Sequence, residues 1–341
     1  MSKKTPIRVA VIGAGNMGRH HVRNYSALDA AKLIAIVDMN PDMRSLAEEH
    51  GAKYYSDYKL MLDEMKPDAV SVVVPTPFHA EVGLEVLSRG IHLLMEKPIA
   101  LTISEADKLI ELAKEKKVVF TVGHIERYNP IVRKLKELID EGRLGNITSI
   151  VSKRVGGFPA VEPKSDVVTD LAVHDIEIIS FLLNRYPISI FSHGSRTLHS
   201  KEIDAAELLL DYGEASGFVQ ANWTTPVKVR TIAVTGSNGY VEGNYITQEL
   251  EYYQHNMQPR RPDNEFKSFV DAVGDPQKEI IKVDFKEPLA LELSLFIQTI
   301  NREIKHRLVS PIDAREALRF AIQAAEQQSN RYEEQEKELT I

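Results

Sequence analysis

The chain has 341 residues, no cysteine and a formal net charge of -7. That length exceeds one ordinary core and predicts two domains, while the missing cysteines exclude disulfides, a thiolate nucleophile and Cys-ligated zinc. The negative charge argues against a nucleic-acid partner, and no apolar run approaches the roughly eighteen residues that span a bilayer.

The N-terminal "MSKKTPIRVAVIG" has basic residues, but its apolar run is short and leads into a glycine turn. It reads as a first strand rather than a signal peptide, and the expected compartment is the cytoplasm. Further β-rich runs follow: "KLIAIVD", "AVSVVVP", "HLLMEKP" and "VVFTVGH". Amphipathic segments such as "HAEVGLEVLSRG" and "SEADKLIELAKEKK" separate them. Strands that are nearly continuous in apolar residues are those covered by helices on both faces. The alternation predicts a doubly wound parallel sheet, an α/β Rossmann domain over residues 1–123.

Where the first strand ends, "GAGNMG" places Gly13, Gly15 and Gly18 around Asn16 and Met17. Such a glycine pattern alone is weak. Here it follows a strand, opens a helix, and is followed twenty positions after Gly18 by Asp38 at the end of the second strand. In that setting the glycines permit a tight turn and close backbone approach to a pyrophosphate, which the free N–H groups of the helix would bind. Asp38 would accept from both adenosine ribose hydroxyls and repel a 2′-phosphate, so the expected cofactor is NAD. Two later strand ends add candidates, because ligands of open α/β sheets bind at the carboxyl ends of the strands. They are Pro75, Thr76, Pro77 and His79 in "PTPFH", and Glu96 and Lys97 in "EKP". For the first group a plain turn and helix cap is an equal alternative. Pro98 restricts Lys97 to an extended conformation and permits a cis bond.

Beyond residue 124, "GHIERYNPIVRKLKELIDEGRLG" reads as a connector and helix, followed by the strand "ITSIVSKRV". Then "TDLAVHDIEII" sets Asp170 four residues before His174 on one helical face. β-Rich runs continue through "ISIFSHGSRT", "AAELLLDYGEASGFVQANWTT" and "VRTIAVTGSNGYVEGNY", the last with a hairpin signal at "SNGY". Two helices are predicted at about 288–305 and 311–334.

Taken in order, "GAGNMG", "PTPFH", "EKP" and "DLAVHD" resemble the glucose–fructose oxidoreductase / inositol dehydrogenase family (Gfo/Idh/MocA) along essentially the whole chain. The resemblance implies a Rossmann domain followed, over 124–341, by an α+β domain with an open, mainly antiparallel sheet. It also implies that Lys97, Asp170 and His174 occupy the catalytic positions. A metal reading of Asp170 and His174 would need further ligands that no His/Glu helix motif supplies. A second alternative makes Asp170 a first-turn residue favoured by the helix dipole, with His174 merely packed.

In the acid–base reading, His174 is the general base, Asp170 orients it or binds a neighbouring hydroxyl, and Lys97 binds the reacting oxygen. Burial and the cationic nicotinamide would lower the Lys97 pKa. The sequence leaves open which of Lys97 and His174 takes the proton. Further substrate candidates are His124, Arg127, Tyr128 and Asn129, with Arg154, Lys228 and Arg230 as cations for a diphosphate; a solvated strand face is the alternative for each cation.

The segments "GHIERYNP", "DVVTDLAVHDIE" and "TPVKVR" are similar to those of UDP-sugar 3-dehydrogenases within the family. The expected reaction is therefore oxidation of the 3-hydroxyl of UDP-N-acetylglucosamine or its uronate. The alternatives are a dehydrogenase of myo-inositol or another free polyol, and a non-catalytic NAD(P)-dependent regulator. An open sheet face needs covering, so a homodimer or homotetramer is expected.

Overall fold

The structure, a computed structural model, describes residues 5–160, 165–198, 202–255, 277–303 and 308–339. It divides into two compact units, Met1–Tyr128 with Lys286–Arg319, and Asn129–Phe285 with Phe320–Ile341.

In the first unit, β1 (Ile7–Ile12), β2 (Ala31–Val37), β3 (Lys53–Tyr55), β4 (Ala69–Val72), β5 (His92–Glu96) and β6 (Phe120–Gly123) form one sheet. All neighbours are parallel, in the order β3-β2-β1-β4-β5-β6. The five apolar runs of the sequence are strands; the three-residue edge strand β3 was not announced by any such run. The helices are α1 (Asn16–Ser26), α2 (Met43–Glu49), α3 (Tyr58–Met65), α4 (His79–Ser88) and α5 (Ile103–Lys116). Thr102 and Glu105 close a reciprocal cap on α5. The strand order reverses between β1 and β4, so the switch point falls at the carboxyl ends that carry "GAGNMG" and "PTPFH".

The first unit is completed from far along the chain. Helix α8 (Pro288–Ile300) packs Leu289, Leu293, Phe296 and Ile297 into the cluster formed by Val9, Val11, Val22 and Tyr25. Next to it, Thr121 donates to the Val309 carbonyl and the Val309 N–H donates to the Tyr128 phenol. A single break after residue 123 therefore does not describe the compact units. Periodicity identified this apolar helix face without showing which core would bury it.

The second unit has an eight-stranded sheet: β7 (Ile147–Val155), β8 (Ser189–Ser195), β9 (Ala205–Asp211), β10 (Ser216–Asn222), β11 (Val229–Gly236), β12 (Gly239–Asn244), β13 (Glu249–Gln254) and β14 (Gln277–Ile281). The order is β14-β13-β12-β11-β7-β10-β9-β8, antiparallel throughout except for the β7–β10 pair. Gly236 pairs with Gly239, leaving Ser237 and Asn238 as the two-residue hairpin loop that "SNGY" predicts. Helices α6 (Pro130–Asp140), α7 (Val173–Leu183) and α9 (Pro311–Leu339) complete the helical inventory among the described residues. On β7, Ile150, Ser152 and Arg154 are buried while Val151 faces out, so one sheet face is covered and the other open. Gly217 lies under α7, where an added Cβ would sit 3.2 Å from the Ile179 side chain.

Candidate active site

The first unit gathers its candidates along the carboxyl edge of its sheet. Gly13 takes φ +95°, and a Cβ there would lie 2.5 Å from the Val73 carbonyl oxygen. A Cβ on Gly18 would lie 2.0 Å from the Gly13 carbonyl oxygen. These two positions require glycine for close packing. Gly15 differs, since a Cβ there would meet nothing within 4 Å. It is the exposed N-cap of α1, with no side-chain cap and no acid in the first turn, and Asn16 beside it is exposed. The α1 amides thus face an open approach with net positive dipole, the environment a pyrophosphate needs.

Asp38, at the end of β2, is half-buried. Its Oδ2 accepts the Ala14 N–H at 2.7 Å and its Oδ1 accepts the Asn40 N–H at 2.8 Å. The carboxylate is thereby fixed to the glycine turn, at the end of β2, where an acid that reads an adenosine ribose is expected.

Pro75 and Pro77 are exposed and Thr76 half-buried in the turn after β4. His79 is not a surface group of this edge. Its ring is 1% exposed, with Nδ1 2.8 Å from the Pro98 carbonyl oxygen and Nε2 2.9 Å from that of Val74. It ties the "PTPFH" turn to the "EKP" turn, and burial lowers its pKa. His79, expected as a cofactor contact, is placed as a clamp on these two turns.

Lys97 is half-buried, directly after β5, and the Lys97–Pro98 peptide is cis. Glu96 is turned inward, 8% exposed, with Oε1 2.9 Å from His21 Nε2 and Oε2 accepting the Lys97 N–H at 3.2 Å. It too supports the edge from within, and cofactor contact through its carboxylate is not what the structure offers.

The "GHIERYNP" segment is more internal than expected. Tyr128 is 1% exposed and its phenol accepts from Val309, while Asn129 caps α6 by accepting from Ile131 and donates to the Tyr245 carbonyl. Arg127 pairs with Asp313 at 3.0 Å. His124 is buried and its pKa is pushed down to about 3, first by burial and then by Arg127 and Lys97. Tyr128 and Asn129, read as substrate contacts, thus have structural partners within their own units. Aromatic and amide side chains after a strand look alike in sequence whether they bind a ligand or close a turn.

In the second unit, residues Val168–Ala172 form one π-helical turn that leads into α7. Asp166, not Asp170, caps it: Oδ1 accepts the Val168 and Thr169 N–H groups and Oδ2 the Thr169 hydroxyl. Asp170 is the acid of the first turn, so the alternative in which the helix dipole favours it stands beside the acid–base reading. Asp170 is half-buried within the widened turn and His174 is 9% exposed one turn later. Single π turns of this kind recur at functional sites.

Arg154 does not face solvent. It is 4% exposed and forms a two-pronged pair with Asp175, Nε to Oδ2 at 2.8 Å and one terminal nitrogen to Oδ1 at 3.0 Å. Ser152 also donates to Asp175 at 2.7 Å, and the guanidinium stacks over Tyr245. Its charge is thus already matched by Asp175 inside the unit, unlike the free cation that the reading as a diphosphate ligand supposed. The Arg230 guanidinium bonds the Val155 and Val229 carbonyls, and Lys228 is exposed. The lone tryptophan, Trp223, is buried edge-on against Phe158. Among the described residues no three His, Asp or Glu side chains gather as a metal site would require.

Two family descriptions match the chain in sequence order. The NAD-binding Rossmann fold of the GFO_IDH_MocA oxidoreductases covers residues 7–124, and the GFO/IDH/MocA C-terminal domain covers residues 132–242. The chain belongs to the Gfo/Idh/MocA oxidoreductase family. It is an NAD-dependent dehydrogenase acting on CH–OH groups. Among Gfo/Idh/MocA proteins, the UDP-N-acetylglucosamine 3-dehydrogenase of Acidithiobacillus ferrooxidans is 26% identical over 296 residues, 86% of this chain and 88% of that one. The myo-inositol 2-dehydrogenase of Thermotoga maritima is 29% identical over 206 residues, 59% and 61% of the two chains. The solved Acidithiobacillus enzyme superposes with a TM-score of 0.82 at 24% identity, covering 94% of this chain and 97% of that one. A levoglucosan dehydrogenase bound to NADH and levoglucosan gives 0.82 at 19% identity, covering 96% and 98%. At these identities the structural likeness establishes the shared fold.

The residues that sequence reading missed are His21, Asp166 and Asp175. His21 had a signal, since it lies on the α1 face shared by Gly18, Val22 and Tyr25, all buried. Asp166 followed the usual pattern of a cap before an apolar run. Asp175 had none, because its partner lies on another element.

Proposed function

We propose that this Gfo/Idh/MocA protein oxidises the 3-hydroxyl of UDP-N-acetylglucosamine, with Lys97, Asp170 and His174 as its acid–base residues. The observation that carries the chemistry is Lys97: a half-buried ammonium at the carboxyl edge of the sheet, its backbone fixed by Glu96, beside a cofactor edge prepared by Gly15 and Asp38. Bound NAD supplies the hydride acceptor. Lys97 donates to the reacting oxygen and stabilises the negative charge that grows there. His174 removes the hydroxyl proton, as an imidazole near neutrality suits, and Asp170 orients that ring or holds an adjacent hydroxyl. Support for the sugar nucleotide is the Acidithiobacillus relative, whose match runs over 86% of this chain, further than the inositol dehydrogenase match.

The second reading, a free polyol, is favoured by the Arg154–Asp175 pair, which removes one of three cations suited to a diphosphate. NADH formation should be compared for UDP-N-acetylglucosamine, its uronate and myo-inositol, with an aminotransferase coupled to remove the ketone. Turnover of the UDP-sugar is expected. Brisk oxidation of inositol with neither UDP-sugar consumed would replace this substrate by the polyol.

The reading extends to assembly. On the open sheet face, Phe191, Leu209, Phe218 and Val151 lie in one cross-strand row and are 69, 48, 40 and 43% exposed. Four adjacent apolar side chains on a bare face call for a cover, and a second copy of this chain supplies it. Light scattering on the purified protein should give a dimer or tetramer, and Phe218→Glu should dissociate it. A monomeric wild-type protein would end this proposal.

A further inference from the structure

Lys97 is the first residue beyond its strand. The β5–β4 ladder ends with Met95 opposite Val72, and the β5–β6 ladder ends with Glu96 opposite Gly123. Where the Lys97 N–H leaves the sheet, Glu96 Oε2 accepts it at 3.2 Å. The backbone from which Lys97 projects therefore follows the Glu96 carboxyl group, and two neighbours hold that group. A Cβ on Gly123 would lie 3.0 Å from its Cδ and Oε1 and 3.1 Å from its Oε2, so the carboxyl group lies broadside against bare backbone. His21 supplies the bond, with Nε2 2.9 Å from Oε1.

For packing alone, His21 is ill suited to its position. It is 0% exposed on the inner face of α1, with Gly18, Val22 and Tyr25. Val22 joins the core cluster and the Tyr25 phenol lies 2.8 Å from the Ser71 hydroxyl on β4, so α1 is docked without the imidazole. Among the described residues the ring hydrogen-bonds to Glu96 through Nε2, and its Nδ1 has no partner. A buried ring nitrogen left unpaired costs stability that a leucine in its place would not. What the imidazole gives is a fixed carboxyl group. Helix α1 is also the one whose N-terminal amides face the open approach at Gly15. Two hydrogen bonds in series thus run from the cofactor helix to the Lys97 backbone.

We infer that His21 is a positioning residue for Lys97, acting through Glu96. It fixes the carboxyl group that holds the Lys97 N–H, and so ties the ammonium to the dinucleotide turn carried by its own helix. A leucine fills the same space but cannot hold Oε1. The inference rests on the proposed role of Lys97 in turnover.

The test uses the full-length protein with His21→Leu, His21→Gln and Gly123→Ala, and Lys97→Met alongside. The glutamine amide can present either a donor or an acceptor to Oε1. Gly123 takes no positive φ, so its backbone allows alanine, which displaces the carboxyl group without altering His21. Hydrogen exchange is read residue by residue, with neither cofactor nor substrate present. The Lys97 amide should exchange about tenfold faster in His21→Leu, while Leu93 and Leu94 within the ladder keep their rates. In steady-state kinetics with NAD and UDP-N-acetylglucosamine, that variant should lose roughly tenfold in kcat, the scale of a small misplacement of a reacting group, with NAD affinity held within about twofold. His21→Gln should recover most of both losses, and Gly123→Ala should behave like His21→Leu. Should myo-inositol prove to be the substrate oxidised, it replaces the UDP-sugar in the kinetic arm.

A folded His21→Leu whose Lys97 amide exchanges at the wild-type rate would overturn the inference. If that variant does not fold, an unchanged rate in Gly123→Ala would do the same. So would a His21→Gln as impaired as the leucine variant. NAD affinity lost in parallel with kcat would make His21 a support for the cofactor helix alone, and would also overturn it. Full turnover by Lys97→Met is a separate result: the Lys97 reading itself would have failed, and the inference with it.

Discussion

Lys97→Met and His174→Ala are each expected to reduce turnover by roughly a hundredfold or more, the scale of lost general acid–base catalysis, while leaving NAD affinity nearly intact. The separation follows from the proposed division of roles. Dinucleotide binding is assigned to the Gly13–Gly18 turn, the α1 amides and Asp38, whereas Lys97 follows β5 and His174 lies on α7. Asp170→Asn should cost less if Asp170 only orients the imidazole. Calorimetric titration with NAD and steady-state kinetics on the same preparations would check both halves. Parallel loss of binding and turnover would make Lys97 a cofactor ligand rather than a chemical one. Chelator should change nothing, and inactivation reversed by zinc would overturn the acid–base assignment.

Asp175→Ala should be the most damaging single substitution for stability in the second unit. The Arg154–Asp175 pair is 5% and 0% exposed at its side chains, and removing one partner strands the other charge in the interior. Breaking a buried pair in this way costs about 3–5 kcal/mol. At roughly 2–4 °C per kcal/mol for a unit of this size, the thermal midpoint should fall by about 10 °C. Replacing both members together, Arg154→Met with Asp175→Leu, should recover most of that loss, since well-packed apolar side chains need no partner. The measurement also bears on the sugar nucleotide. If Arg154→Met left the midpoint unchanged but raised KM for the UDP-sugar, Arg154 would be a substrate ligand after all.

Much of the first unit was legible because its signals are local. Apolar runs with helical patterns between them specify a covered parallel sheet, and "GAGNMG" followed by Asp38 reads as a dinucleotide turn because the motif lies between a strand and a helix, with Asp38 held against it through the Ala14 N–H. The substrate candidates fared differently. Tyr128, Asn129 and Arg154 were chosen by residue type and strand position, and each has instead a buried partner: Val309, Tyr245 and Asp175. Those partners lie 181, 116 and 21 residues away in sequence. No motif in the sequence ties these pairs together.

By itself, the sequence determined the Rossmann sheet, the mainly antiparallel second sheet and the glycine turn, since these depend on local periodicity and on motifs in order; the roles proposed for Lys97, Asp170 and His174 came from the family resemblance. Tertiary structure decided the rest. It returned α8 to the first unit, turned Arg154 inward onto Asp175, and widened the helix start at Asp170 into a π turn. The reason is physical. Whether a charged side chain meets solvent, a ligand or a buried counter-charge depends on which distant element packs over it, and only the folded chain brings those elements together.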